Sequence, residues 1–241
     1  MKLIDINADL GESFGSWNMG EDAKMLDIVS SANIACGGHA GDASVMYDTV
    51  KLASQKDVVI GAHPGFDDKQ GFGRRKIPLT ILEIEQLIES QVGALVGVAG
   101  LINAKVYYVK PHGALNNWAT ENMDVSEAIV RAIKSSFPNL SLLAVSGTML
   151  ETSGINAGLK TFSEIFADRG YNKNGNLVPR GEKGALITDT KYAINRLVHF
   201  FQTGEMPTVC GNFIKMNAHS ICIHGDNSNA VDMARNIKSI L

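Results

Sequence analysis

Ala32-Asn33-Ile34-Ala35-Cys36-Gly37-Gly38-His39-Ala40-Gly41-Asp42 opens as a short apolar run and closes in a knot of polar residues and glycine. A helical pattern follows from Asp42 to Ser54, with Val45, Met46, Val50, Leu52 and Ala53 at its apolar positions. A second apolar run, Val58–Ile60, then ends in Gly61-Ala62-His63-Pro64-Gly65. The apolar part of such a unit reads as a buried strand, and the polar part as its exit loop. Strand, knot, helix and strand in this order make a βαβ unit with parallel strands and a right-handed crossover.

The same unit recurs on both sides. Leu3–Ile6 runs into Asn7, Asp9, Gly11 and Glu12, and Val106–Val109 into Lys110-Pro111-His112-Gly113. Leu140–Val145 ends at Ser146-Gly147, Phe162–Phe166 at Ala167-Asp168-Arg169, and Ser220–Ile223 at His224-Gly225-Asp226. Helical spacing fills the intervals at Asp22–Ser31, Thr80–Ala99, Asp124–Ser135, Asp189–Thr203 and Asn229–Leu241. Ser13–Gly20, Gly65–Arg75 and Asn172–Gly184 read as loops, the last broken by Gly175, Pro179 and Gly181. Seven strands are awkward for an eight-stranded barrel. Either an eighth lies near Thr208–Phe213, or the barrel has seven and is irregular; the second reading is adopted. The expected fold is therefore α/β, an irregular TIM-like (β/α)7 barrel, one domain over residues 1–241. All seven knots would then gather on one face.

The bulk numbers agree with an ordinary soluble chain. Its 241 residues are 45% hydrophobic and 20% charged. A net charge of −3 gives no reason to expect a nucleic-acid partner. Cys36, Cys210 and Cys222 are odd in number and widely spaced, which suits a reducing compartment. The chain enters a strand at Leu3 without a signal-peptide pattern, and its apolar stretches are too short to cross a bilayer, so a cytoplasmic location is expected.

Four histidines stand at strand exits: His39, His63, His112 and His224. Any one alone reads as a hydrogen-bonded structural residue. Four in one structural role, each beside Gly or Pro, read as proton shuttles or metal ligands. Asp9 and Glu12 follow the first strand and Asp226 the last, so a closed barrel would bring them together. Paired carboxylates serve as acid and base or hold a cation, whereas Asp42 and Asp226 could equally cap loops. Metal ligands would have to come from separate strands, as Asp9, His63 and His112 would. Lys110, at the end of an apolar strand, either neutralises a substrate anion or pairs with Asp9 or Glu164. Arg169 and Arg180 could fork onto a carboxylate or phosphate, as could Arg74-Arg75 unless these are solvated loop charges. Cys36 reads as a small structural residue rather than a nucleophile. Phosphate-loop and dinucleotide fingerprints are missing from the sequence.

Several long motifs occur in order. They are Asn7-Ala8-Asp9-Leu10-Gly11-Glu12, Ser31–Asp42, Gly61-Ala62-His63-Pro64, Gly71-Phe72-Gly73-Arg74-Arg75, Val109-Lys110-Pro111-His112-Gly113-Ala114-Leu115, Phe166-Ala167-Asp168-Arg169-Gly170-Tyr171 and His224-Gly225-Asp226. Together they closely resemble the LamB/YcsF family from the first strand to about Asp226. Asn116 stands where the family often has Tyr, and Asp67 where it often has Pro. The resemblance implies a seven-stranded barrel related to the glycoside hydrolase/deacetylase superfamily. It implies the part of the A component in an ATP-dependent 5-oxoprolinase, which cleaves 5-oxo-L-proline to L-glutamate together with subunits B and C. ATP with Mg²⁺ would be used by the complex, and the missing phosphate loop fits nucleotide chemistry on the partners. The catalytic candidates are Asp9, His39, His63, Lys110, His112, His224 and Asp226. The substrate-binding candidates are Glu12, Asp168, Arg169 and Arg180. A divalent metal on Asp9, His63 and His112 and a homo-oligomer stay open. So do two rivals: a stand-alone metal-dependent deacetylase or amidase, and a non-catalytic protein that binds substrate for its partners.

Overall fold

The computed structural model describes residues 4–224 and 230–241. Its strands are β1 (Asp5–Leu10), β2 (Ser31–Ala35), β3 (Val59–His63), β4 (Val106–Val109), β5 (Ser141–Val145), β6 (Thr161–Phe166), β7 (Glu205–Pro207), β8 (Phe213–Lys215) and β9 (Ser220–Cys222). Seven of them close a barrel in the order β1-β2-β3-β4-β5-β6-β9, every pairing parallel. Helices are α1 (Asp22–Met25), α2 (Ala43–Gln55), α3 (Ile81–Gly100), α4 (Gly113–Glu121), α5 (Met123–Ser136), α6 (Met149–Asn156), α7 (Thr190–Thr203) and α8 (Ala230–Lys238). Among the described residues no helix is long and apolar enough to cross a membrane.

Alternation along each strand decides what goes where. Ile6, Ala8 and Leu10 of β1 join the apolar layer under the helices, as do Ala32 and Ile34 of β2 and Ile60 and Ala62 of β3. The longest helix, α3, shows the matching face: Ile84, Ile88, Val92 and Leu95 are buried at three-to-four spacing. Each such side chain contributes about 1.5–3 kcal/mol on burial. A capping box holds the start of α3, with Thr80 and Glu83 satisfying each other's backbone N–H.

The structure differs from the sequence-based expectation in five places, one being β3, which takes in Gly61, Ala62 and His63 from its expected exit loop. β1 starts later and runs further than Leu3–Ile6, so Asn7 and Asp9 lie on the strand and not in its exit loop. Asp22–Ser31 forms only one helical turn, α1; its apolar residues Met25, Leu26, Ile28 and Val29 are all buried, but β2 claims the chain at Ser31. The segment around Thr208–Phe213 adds no barrel strand. It links β7 and β8, an antiparallel pair beside the barrel. Two short helices at strand exits, α4 and α6, were not expected.

Candidate active site

Barrel interiors of this type are usually packed with branched apolar side chains. This one carries a column of polar groups. Asp5 accepts from Ser30 Oγ at 2.6 Å and Ser31 Oγ at 2.8 Å, and the Ser220 hydroxyl also donates to it. Asn7 Nδ2 donates to Ser220 Oγ at 2.7 Å. Asn33 Nδ2 donates to Asn7 Oδ1 at 2.7 Å and to Asp9 Oδ1 at 2.8 Å, and the Tyr108 hydroxyl donates to Asn33 Oδ1 at 2.6 Å. Gly61 has to lack a side chain, because a Cβ there would lie 2.2 Å from the Tyr108 ring. Lys110 Nζ tops the column, 3.0 Å from Asp9 Oδ1, 2.9 Å from Glu164 Oε1 and 3.2 Å from Asn7 Oδ1.

This ion triad is buried, so its charges survive only through each other. Burial pushes the Asp9 carboxyl up, but His63 and Lys110 outweigh it and hold Asp9 well below the usual carboxylate range. Burial works against the Lys110 ammonium too. Asp9, the Cys222 sulfur and Glu164 more than offset it. Glu164 is raised, because burial outweighs the attraction of Lys110. Both pairings weighed for Lys110 are therefore present at once.

Beside the triad stands a histidine pair. His63 Nδ1 meets the Lys110 carbonyl oxygen at 2.7 Å, and His112 Nε2 meets the Phe72 carbonyl oxygen at 2.9 Å. Carbonyl oxygens only accept, so both outer nitrogens carry the proton. Burial, and next the neighbouring His63, keep the His112 imidazole well below its usual range, hence neutral. The inner nitrogens, His63 Nε2 and His112 Nδ1, then face each other at 3.0 Å. Two lone pairs at that distance repel. The pair needs one further proton between its members, or a cation. Asp9 Oδ2 lies 3.3 Å from His63 Nε2, and Glu12 Oε1 lies 3.8 Å from His112 Nδ1, both placed to balance that charge.

Glu12, His39, His63 and His112 bring ligand atoms within 4.8 Å of one another. Ring orientation removes one of them. His39 and His112 are stacked, with centroids 3.6 Å apart and planes 2° from parallel. A metal lies close to the plane of each imidazole that binds it, so these two rings cannot share an ion. His63 and His112 are perpendicular and can. Backbone carbonyls on the outer nitrogens are the usual orienting partners of metal-bound histidines. His39 is better read as a support stacked on His112: its Nε2 lies 3.3 Å from Glu12 Oε1, and burial, followed by His112 and His63, keeps it neutral.

His224 completes the floor. Its Nδ1 meets Asp168 Oδ2 at 2.9 Å, and its backbone N–H donates to the same carboxylate at 3.1 Å. Burial raises Asp168, but His224 outweighs it and keeps the carboxyl below its ordinary value. Asp168 thus orients the ring and presents Nε2 toward Asp9, 3.7 Å away. This differs from the substrate-binding place expected for Asp168. Asp226 lies outside the described residues.

Above the floor opens a cavity of about 160 Å³, lined by Asp9, His63, Lys110, His112 and His224 below and by Arg74, Arg169 and Arg180 on its walls. Arg169 is fixed by Nε donating to the Ala185 carbonyl at 3.0 Å and Nη2 to the Val178 carbonyl at 2.7 Å. Burial, and next Arg180, lower it to about 10, so it stays cationic at neutral pH. Arg75 turns away and pairs with Asp68, Nε to Oδ2 at 3.0 Å. Asp42 caps α2 through the N–H groups of Ser44 and Val45. Cys36 is buried with its thiol pushed up to about 12, as a structural residue should be. Sequence reasoning missed Asn7 and Asn33 as column members and Asn116 and Asn117 as cavity lining. Alternation with Ile6, Ala8 and Leu10 was the available signal for Asn7.

Comparison with known proteins gives one answer. The family model described as "LamB/YcsF family" matches residues 4–241. A protein of Gluconobacter oxydans named as the A component of 5-oxoprolinase is 46% identical, covering 99% of this chain and 94% of its own. One of the same name from Rhodopseudomonas palustris is 48% identical, covering 98% and 93%. The crystal structure of a lactam utilization protein from Thermus thermophilus superposes with a TM-score of 0.91 at 37% identity, covering 99% and 95%. With the match running through every strand of the barrel and every described residue of its floor, this chain belongs to the LamB/YcsF family.

Proposed function

We propose that this chain is the A component of a 5-oxoprolinase and opens the lactam ring of 5-oxo-L-proline to give L-glutamate, within an assembly in which subunits B and C use ATP and Mg²⁺. The names of the relatives support the reaction and the existence of other subunits. The observation that carries the reading is one small cavity with a proton-handling floor and a wall of three arginines. Its size suits a compact anion better than a nucleotide, since drug-sized ligands occupy about 300–1,000 Å³.

A lactam carbonyl is protected by amide resonance. Phosphorylation of its oxygen would give a cyclic imidoyl phosphate, which water can attack at the ring carbon. The resulting tetrahedral carbon can expel phosphate, which returns the lactam, or the ring nitrogen, which opens the ring. Only protonation of that nitrogen favours opening. The leftover acyl phosphate then yields glutamate and phosphate with a second water. His63 and His112, with Asp9, take the proton from water. His224, held by Asp168, gives a proton to the nitrogen. Lys110, Arg74, Arg169 and Arg180 hold the carboxylate and phosphoryl charges. The residues also fit a divalent cation, held by His63 and His112 with Asp9 or Glu12, which would supply a water of lowered pKa.

The test is glutamate release from 5-oxoproline with ATP, Mg²⁺ and subunits B and C, with and without this chain. Release only in its presence supports the reading. Activity that survives replacing both His63 and His112 by Ala in a folded protein sinks the assigned chemistry. The facing lone pairs favour one rival, a stand-alone metal-dependent amidase. One metal ion per chain and amide hydrolysis without ATP would identify it.

A further inference from the structure

We propose that the opposite mouth of the barrel, at the N-terminal ends of the strands, is a second small-molecule site that takes a carboxylate with a flat apolar body. A cavity of about 500 Å³ opens there, roughly three times the volume of the upper one. Hydrogen-bond donors line it from β4 round to β9. Ser163 N–H donates to His219 Nδ1 at 2.9 Å, so that nitrogen is unprotonated and His219 presents Nε2–H. The Lys160 ammonium sits 5.1 Å from the centroid of the Phe162 ring. Asn139, Ser141 and Tyr107 line the same mouth. Tyr107 is brought there at the register shift between β3 and β4, where Val106 and Tyr108 pair with consecutive residues Ile60 and Gly61.

Charge and shape then specify the occupant. An ammonium, an imidazole N–H, an amide and two hydroxyls share one rim, so the polar end of the occupant is an anion. The acidic residue of the mouth, Asp5, sits on β1 beside β9, its N–H donating to the His219 carbonyl at 3.0 Å, and its carboxylate is already taken up by the hydroxyls of Ser30, Ser31 and Ser220. Phe162, Tyr108 and Leu143 supply an apolar wall, and a planar body would lie against the two rings. A phosphate would meet the donors but leave that wall uncovered. An arene carboxylate covers both.

The probe is benzoate, titrated into the full chain and followed by backbone amide NMR, with benzamide as the neutral control. Benzoate should shift amides of residues 160–163 and 218–220, benzamide should bind far more weakly, and Lys160→Ala should weaken benzoate by about tenfold, the scale of one charge-assisted hydrogen bond. His219→Gln, which keeps a donor, should weaken it less than His219→Leu. Shifts confined to the upper cavity, around Lys110 and His224, would overturn the proposal. So would equal affinity of wild type and Lys160→Ala.

Discussion

The two mouths of this barrel share a wall of seven strands and differ in how their polar groups are satisfied. On the floor of the upper mouth the charges are buried against one another: Lys110 against Asp9 and Glu164, His224 against Asp168, His63 against His112 and Asp9. At the lower mouth Asp5 is satisfied by hydroxyls, while Lys160 and Tyr107 stand at an open rim. Mutual burial holds side chains in fixed geometry and shifts the proton affinities of Asp9, Lys110, Glu164, His112 and Asp168, which chemistry requires. An open rim costs little to keep and little to change, which suits reversible binding. The contrast predicts large effects above and small ones below.

The largest should come from the histidine pair. Replacing His63 or His112 by Gln in the assembled enzyme should lower ring opening by about 10²–10⁴-fold, the range for losing a general base. Circular dichroism and melting would show whether the fold is intact. Retained activity would mean that the upper mouth is a binding surface like the lower one. Next is Lys110→Met, which leaves Asp9 and Glu164 buried without their counter-charge. Stability in urea should fall by about 3–5 kcal/mol. Adding Glu164→Gln should restore part of that loss, because one of the two stranded charges is removed.

A smaller effect follows from pH. His39 and His112 are both held below the usual imidazole value of 6.5, first by burial. The unfolded chain therefore binds protons below about pH 6.5 that the folded chain refuses. Their stabilisation is present above that pH and is lost as pH falls toward the depressed folded values, at up to about 1.4 kcal/mol per pH unit for each histidine. His39→Gln keeps a donor for Glu12 and removes one titrating site. Its melting temperature should drop less steeply than that of wild type between pH 6.5 and 5. Parallel slopes would mean that His39 is charged in the fold. Asp9 and Asp168, also depressed, act in a separate window, below about pH 4.

The barrel was legible in the sequence because its outer faces are apolar and regularly spaced. Val58–Ile60 and Leu140–Val145 could hardly be anything but buried strands. The four strand-exit histidines and Asp9 were legible as a group because topology gathers exits on one face, and the structure brings Asp9, His63, His112 and His224 to one cavity floor, with His39 stacked on His112. Relations between them were not legible. Which histidine nitrogen faces which depends on carbonyls of Phe72 and Lys110, in other loops and strands. Asp168 and Arg169 were named together as substrate-binding candidates, but which way each of two chain neighbours faces was not legible: Arg169 lines the cavity, and Asp168 is hydrogen-bonded to His224. Asn7 and Asn33 were hidden by the assumption that a barrel strand is apolar on both faces, which a polar axis breaks.

The smallest effect tests the comparison from below. Lys160 is exposed, and it lies over the face of Phe162, an interaction worth about 0.5–1 kcal/mol at such sites. Lys160→Ala should therefore cost under about 1 kcal/mol in urea and leave ring opening by the assembly within about twofold of wild type. It removes the same functional group as Lys110→Met, from the same barrel, a few strand residues away. Intrinsic lysine chemistry cannot explain a large difference between them; only the surroundings can. Lys110 is enclosed with two buried carboxylates that water cannot reach in its place, whereas water replaces whatever Lys160 touches. If the two substitutions cost alike, the lower rim is as tightly built as the upper floor, and an open, exchangeable site there is the wrong description.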